Sequence, residues 1–403
     1  MAQAAAAAEA APPLHLFVCG DVMTGRGIDQ LLPQPSRPHL YEPYVTDARD
    51  YVRLAERASG PIARPVGFDY VWGEARAEID RRAPQLRIVN LETAITTSED
   101  AWPGKGIHYR MHPANVGVLT AARIDACALA NNHVLDWGRA GLAETLRALH
   151  AAGIRTAGAG ANEEEASQPA ILGTPAGRVL IFAAAHASSG VPRDWRASRD
   201  RSGVCLLDEI SARGAGLLAR RIAAHRRPGD TVIVSLHWGG NWGYAISPEE
   251  RACAHALVEA GADLVHGHSS HHVRGFEVHR GRLILYGCGD FINDYEGIGG
   301  HRPDPAAPAR APGRSWWGRA GFSGRPDESV YRGDLVAAWF AQLEGGRLRE
   351  LALVPFQSRQ LSLRRASAAD TRWLLDTLNR ECRPFGAQLA LAEDGSLRLV
   401  APR

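Results

Sequence analysis

Between Leu264 and Asp294 the chain carries His266, His268, His271, His272 and His279 together with the acids Glu277, Asp290 and Asp294. Neutral imidazole is the commonest metal ligand, and a histidine just past the end of a buried strand is held rigidly enough to share an ion with others. His268 and His271, bracketed by glycine and serine, read as ligands. His272, near Arg274, and His279 read as surface loop residues. Other hydrophobic runs also end on a polar residue able to do chemistry: Asp21, Asn90 with Glu92, Asn132 with His133, and His237. Any one of these alone could be a turn or a helix cap. As an ordered series they point to one pocket at the carboxyl ends of strands, where ligands gather in layered α/β folds. Carboxylate, amide and imidazole donors suit Mn, Fe or Zn better than a thiolate-loving ion. Such an ion polarises a phosphoryl or carbonyl oxygen and makes water a nucleophile near neutral pH.

The elements that must position these residues alternate along the chain. Strands are expected at 14–19, 86–91, 126–130 and 231–236, each running into one of the polar positions above. Helices are expected at 70–82, 113–122, 138–152, 211–224 and 248–260. Hairpins are expected from 170–172 with 179–184, and from 276–278 with 283–286 around the turn Arg280-Gly281. Strands alternating with helices argue for an α/β layered architecture. The segment 33–65 is rich in proline, tyrosine and charge and reads as an excursion. Residues 299–330, rich in proline, glycine and arginine around Trp316-Trp317, read as a mobile loop over a site or as a plain linker. Closing strands at 334–340 and 351–355 end the main domain, expected over 14–360. A helix and hairpin extension follows over 361–403, and an alanine-rich disordered tail, 1–13, precedes it.

Composition narrows the classes. The 403 residues are 45% hydrophobic and 22% charged with a net charge of +2, so a sizeable core is expected and nothing electrostatic argues for nucleic acid or an anionic membrane. Six scattered cysteines without CxxC spacing fit a reducing compartment, with Cys19 and Cys288 as small buried strand residues rather than nucleophiles. The N-terminus lacks the basic and apolar regions of a signal peptide, and no run approaches the roughly 18 apolar residues of a membrane span. A cytoplasmic protein is the expectation. Neither a GxSxG elbow nor a P-loop is present, which disfavours a serine hydrolase or an NTPase built on them.

The motifs GDVMTGR (Gly20 to Arg26), NLET (Asn90 to Thr93), LANNHVLDWG (Leu129 to Gly138), HWGGNW (His237 to Trp242) and HGHSSHHVRGFEV…LYGCGDF (His266 to Phe291) resemble the bacterial capsule synthesis protein CapA family. This is the poly-γ-glutamate capsule group within the calcineurin-like metallophosphoesterase superfamily. The resemblance implies a four-layer α/β/β/α sandwich. It implies one or two divalent ions held by Asp21, Glu92 (where the superfamily has a bridging Asp), Asn132, His237, His268 and His271, the last one residue later than in the usual GHxH pattern. It also implies that His133 protonates the leaving group and that Asp136 orients it. Met23 stands where phosphoesterases of this type have a metal-binding His. Arg26, Trp238 and Asn241 are expected to contact an anionic small-molecule or polymer substrate, although a lone Arg, here or at Arg110, is more often a salt-bridge partner, and Trp238 or Trp242 could be core. The activity implied is metal-dependent hydrolysis of a phosphoester or a glutamate-linked amide. The alternative is a non-catalytic accessory role in making or exporting the polymer.

Overall fold

The computed structural model describes residues 12–298 and 328–400 as a mixed α/β protein with several sheets. Its centre is the first strand, Leu14–Val22, in which every residue except His15 is buried. That near-continuous apolar run is what a strand covered on both faces requires. In the ten-stranded sheet it lies between Leu335–Glu344, antiparallel, and Leu86–Leu91, parallel, and Ala126–Ala128 and Arg155–Ala157 continue the parallel side. The short strand Asp290–Ile292 also joins it, with Asp290 level with Asp21.

The seven-stranded sheet has Thr231–His237 and Leu264–His268 at its centre, parallel and in register, so that His237 faces His268 across the pair. The buried side chains of its strands alternate between two cores. Ile181, Ala183, Ile233 and Leu264 join the core that contains the first sheet. Leu180, Phe182, Val232 and Val234 pack with Leu218, Ile222, Ala254 and Leu257 of the helices Gly216–His225 and Pro248–Glu259. The second helix starts at a capping box, Ser247 with Glu250, and has proline in its first turn, the arrangement that satisfies the free N–H groups of a helix end.

Local chemistry explains where the expected elements change length. The helix expected at 70–82 is divided at Gly73, whose φ of 46° separates a short 3-10 turn, Tyr70–Trp72, from Gly73–Arg82; a Cβ there would lie 2.2 Å from the Leu363 carbonyl oxygen. The hairpin turn at Arg280-Gly281 has positive φ at both residues, 52° and 79°, as a tight two-residue turn demands. The 33–65 excursion contains a helix, Arg49–Ser59, that buries Tyr51, Val52, Leu54 and Ala55. The C-terminal helix Ala368–Cys382 buries Leu374, Leu375 and Leu378, and its hairpin extends the larger sheet through pairing of Leu397–Leu399 with Arg347–Arg359. The expected cover loop at 299–330 lies outside the described residues apart from its last three, and the expected tail at 1–13 apart from Pro12 and Pro13.

Two glycines bring the strand ends together. A Cβ on Gly20 would lie 1.5 Å from the Gly289 carbonyl oxygen, the same oxygen that accepts the Asp21 N–H at 3.0 Å. Gly20→Ala must therefore push the two segments apart and is expected to cost ~3 kcal/mol or more, the upper range for overpacking. Gly106→Ala, where a Cβ meets nothing within 4 Å, serves as the control. Thermal unfolding of both variants checks this; equal stability would contradict it.

Candidate metal and acid site

The site forms where the carboxyl ends of parallel strands from the two sheets meet. Asp21 comes from the first strand, Glu92 follows Leu91, and the segment Asn131 to His133 follows Ala126–Ala128. His237 and His268 close the two central strands of the second sheet. Asp21, His237 and His268 each offer a ligand atom within 4.8 Å of the others, and all three are buried.

A chain of hydrogen bonds fixes which imidazole nitrogens carry protons. His266 Nε2 lies 2.7 Å from the Cys19 carbonyl oxygen, which only accepts, so this nitrogen donates. Burial pushes His266 down to about 4, so the ring is neutral and its Nδ1 is bare, accepting from Ser235 Oγ at 3.1 Å. Ser235 Oγ in turn accepts from His268 Nε2 at 2.8 Å. Burial, with His237 and His266 alongside, holds His268 well below the usual histidine range, so its Nδ1 is bare as well. His237, also held neutral by burial, donates from Nε2 to Asn132 Oδ1 at 2.9 Å. Its own Nδ1 thus faces His268 Nδ1 at 2.8 Å, and Asp21 Oδ1 is 3.8 Å from His268 Nδ1. Two lone pairs aimed at each other beside a carboxylate repel unless a cation lies between them. Two neutral imidazoles and a carboxylate fit a divalent ion of the Mn, Fe or Zn type.

The acids are strained in the same sense. Burial and the nearby Asp290 carboxylate push Asp21 up to about 7. Glu92 is raised well above the ordinary carboxylate range by burial and then by Asp21. Carboxyls crowded out of water hold a proton or a cation. Asn90 Nδ2 donates to Asp21 Oδ1 at 2.7 Å, and the Ser269 N–H, held at a φ of 96°, donates to Asp21 Oδ2 at 3.2 Å. Asn131, buried, donates to Asn90 Oδ1 and the Leu91 carbonyl and accepts from the His133 and Val134 N–H groups.

His133 adjoins this cluster. Its Nε2 lies 3.7 Å from Glu92 Oε1, and its Nδ1 lies 2.7 Å from Asp136 Oδ2. Asp136 Oδ2 also accepts the Tyr109 N–H at 2.6 Å. Burial pushes His133 down to about 4, against the opposing pull of Asp136.

Several expected residues sit elsewhere. His271 is outside the three-residue cluster; its Nδ1 lies 2.8 Å from Asp290 Oδ1. Asn132 meets His237 rather than a carboxylate. Arg26 does not present itself to a substrate: it donates to both oxygens of Asp294, to Glu42 and to Tyr51 and lies between the rings of Tyr51 and Tyr109, at 4.0 and 4.2 Å. Arg110 is likewise occupied, by the Ser98 and Arg37 carbonyls and Glu99, over the Trp137 ring. Trp238 is core: it is 1% exposed, stacks on Tyr286 and donates to its carbonyl. Asn241 is at the exposed rim and accepts the His271 N–H through its carbonyl. His272, expected on the surface, is buried and accepts the Gly243 N–H at 3.1 Å, anchoring the loop after His237. His279 is half-buried and stacks on His255 at 3.7 Å. His255, Glu277 and His279 are grouped within ligand distance, but parallel stacked rings aim their lone pairs side by side, and Arg251 already occupies Glu277 Oε1 at 3.2 Å. Burial pushes the Cys19 and Cys288 thiols up, away from nucleophilic use.

Two residues escaped the sequence reading, Ser235 and Lys105, and a third, Asp290, was noted as an acid of the histidine-rich stretch but given no place at the site. Asp290 is the acid of a Cys-Gly-Asp run, as Asp21 is, and that echo was its signal. Ser235 occupies a strand interior, where a serine carries no pattern. Lys105 had the plainest signal of all, for it is the only lysine in the chain. Its Nζ lies 2.7 Å from Asp136 Oδ1 and 3.0 Å from His133 Nδ1.

Residues 15–295 match the family described as bacterial capsule synthesis protein PGA_cap. A probable polyglutamine synthesis accessory protein of Mycobacterium tuberculosis (strain ATCC 25618 / H37Rv) is 44% identical over 385 residues, 94% of each chain. The capsule biosynthesis protein CapA of Bacillus anthracis is 25% identical over 287 residues, covering 70% of this chain and 60% of that protein. The PGA biosynthesis protein CapA of Bacillus subtilis (strain 168) is 25% identical over 276 residues, covering 68% and 62%. A solved structure, TT1561 of Thermus thermophilus, aligns at 11% identity with a TM-score of 0.32 over 71% of this chain and 92% of that one, too slight a likeness to bear on the fold.

Because Asp21 must be ionised to hold a cation, its raised value sets the pH response. Below about 7 a proton competes with the ion, and affinity falls by up to tenfold per pH unit; above it the competition ends. Calorimetric titration with Mn2+ is expected to give binding about tenfold weaker at pH 6 than at pH 8, with close to one proton released at pH 6. A pH-independent affinity would contradict the assignment.

Proposed function

The chain belongs to the bacterial capsule synthesis protein family, and on that premise we propose that it is a metal-dependent hydrolase acting on a phosphoester or a glutamate-linked amide. The observation that carries the proposal is the facing pair of bare Nδ1 atoms of His237 and His268 beside Asp21. A divalent ion bound there supplies Lewis acidity and a more acidic water. The chain's own residues do the rest. Asn132 and Ser235 orient the two imidazoles. Asn90 and the Ser269 N–H hold the Asp21 carboxylate. His133, with Nε2 directed at the Glu92 side of the pocket, delivers a proton to the leaving atom. The Mycobacterium relative is described as a polyglutamine synthesis accessory protein, and an amide-linked polymer of that kind favours an amide over a phosphoester while also suiting the accessory role considered next.

The fold we infer is the four-layer α/β/β/α sandwich of calcineurin-like metallophosphoesterase type, supported by the alternation of the second sheet's side chains between the two cores. A cytoplasmic setting is favoured by six free, buried cysteines; among the described residues no helix is long and apolar enough to cross a membrane. A second reading rests on Met23. It is fully buried, and its sulfur meets only the Tyr295 hydroxyl, at 3.6 Å, among the hydrogen bonds of the described residues. A thioether there is a poor ligand for a hard ion, which favours an accessory, non-hydrolytic role in polymer synthesis.

The two readings part on turnover. With Mn2+ and a panel of phosphomonoesters, phosphodiesters and γ-glutamyl amides, His133→Ala is expected to lower turnover by about 10²–10⁴-fold, the usual worth of a general acid, while metal uptake stays intact. His237→Ala is expected to lose both. An absence of turnover across the panel with Mn2+, Fe2+ and Zn2+ would leave the accessory reading.

A further inference from the structure

The first strand, Leu14–Val22, runs into the metal site at its carboxyl end and borders a cavity of about 330 Å³ at its start, beside His15 and Leu16. At about 3.3 Å per residue, the five steps from Leu16 to Asp21 set the two places roughly 16 Å apart. We propose that this cavity binds an organic anion, a carboxylate or phosphate head carried on an apolar body. The proposal does not rest on the hydrolytic reading. Most of the residues that line the cavity lie from Phe340 onward, beyond the family-matched stretch 15–295.

The hollow has a local cause. The helix Gly73–Arg82 ends at Ala83, which is left-handed with a φ of 44°, and the Pro84 that follows cannot continue it. Beyond Arg82 the ten-stranded sheet presents two rows of side chains. Strand register aligns Phe340, Ala352 and Arg398 in one row and His15, Gln342 and Glu350 in the next. The rows are two residues apart along each strand, so they share a face. Ala352 is the smallest member of the first row, and its missing bulk opens the gap between Phe340 and Arg398. The floor is apolar, with Phe340 and Ala352 both buried. The Arg82 guanidinium lies 4.8 Å from the centre of the Phe340 ring, a cation held against an aromatic face.

Charge selects the ligand. Arg81, Arg82 and Arg398 share Asp394 at 3.5, 3.0 and 3.7 Å. Glu78 is shared by Arg81, Arg82 and Arg365 at 2.6, 2.6 and 3.9 Å. Among the described residues these four guanidiniums thus pair with two carboxylates, which leaves positive charge uncompensated at the Arg82 and Arg398 end. Glu350, at the far end of the second row, directs an anionic head to that same end. Guanidiniums take a carboxylate or a phosphate by two parallel hydrogen bonds. A bare inorganic anion would leave Phe340 and Ala352 uncovered, and a neutral apolar molecule would leave the arginines unanswered. An apolar cavity with a few placed polar groups is the usual form of a small-molecule site.

The test is calorimetric titration of the full chain with 4-phenylbutyrate and phenylphosphonate, which carry the two heads. The controls are 4-phenylbutanol for the body alone and inorganic phosphate for the charge alone. One or both of the organic anions are expected to bind saturably, and at least about tenfold tighter than either control, the worth of a hydrogen bond to a charged group. The tighter of the two identifies the head. Arg398→Glu reverses the charge and Ala352→Leu fills the gap; each is expected to weaken binding by at least about tenfold. The Arg398 side chain is 56% exposed, so its variant keeps the core intact and decides the matter even if Ala352→Leu does not fold. Saturable binding by neither organic anion, equal binding of the neutral alcohol, or binding that a folded variant leaves intact would overturn the proposal. A probe held at the metal site instead would be indifferent to both substitutions.

Discussion

The hydrogen bond from His266 to the Cys19 carbonyl is the contact on which the site's arrangement depends. It crosses from one sheet to the other at a point where neither has water to offer. A buried imidazole left without a partner costs about 1–3 kcal/mol, so the bond is strongly selected once the sheets meet. It commits the proton of His266, and Ser235 passes that commitment to His268. The direction in which the bare nitrogen of His268 points is therefore decided by a backbone carbonyl in the other sheet. Sheet packing and ligand chemistry are one event here, and the close approach of Gly20 to Gly289 is what permits it.

Charge makes the pocket unequal to its surroundings. Asp21, Glu92 and Asp290 are buried together while His237 and His268 stay neutral. The guanidinium that lies nearest in sequence to Asp21, that of Arg26, is consumed by Asp294 and Glu42. A surplus of acidic groups in low dielectric is unfavourable unless protons or cations are taken up. The acids hold protons when nothing else is offered, and a divalent ion replaces them more effectively. Lys105 pairs with Asp136 beside His133, and its charge also offsets part of what raises Glu92.

Much of this was legible in the sequence, and the exceptions have physical causes. Strands leading to Asp21, Glu92 and His237 could be read because a strand buried on both faces is a continuous apolar run, and its end is marked by the first polar residue; the strand Leu264–His268 was not among those expected, because His266 and Gly267 interrupt its apolar run. The convergence of Asp21 with His237 and His268 followed from the habit of parallel sheets to gather function at one edge. What could not be read was the sharing of protons. Ser235 looks like any small residue inside a strand, and only the facing strand reveals that it links two imidazoles. Arg26 and Trp238 looked available because local sequence does not disclose long-range partners such as Asp294 or the ring of Tyr286. His272 looked exposed because it lies near the charged Arg274, whereas its ring is buried and stacks on Trp242. Lys105 was overlooked because the motifs direct attention to strand ends, and it lies in a loop.

The central claim is that one cation is shared by side chains from both sheets. The most direct measurement is anomalous diffraction from crystals soaked in Mn2+. The account predicts a peak within about 2.0–2.3 Å, ordinary ligand range, of His237 Nδ1, His268 Nδ1 and an Asp21 carboxylate oxygen together. Density at the His255–Glu277–His279 group only, or none between the two facing imidazoles, would contradict it.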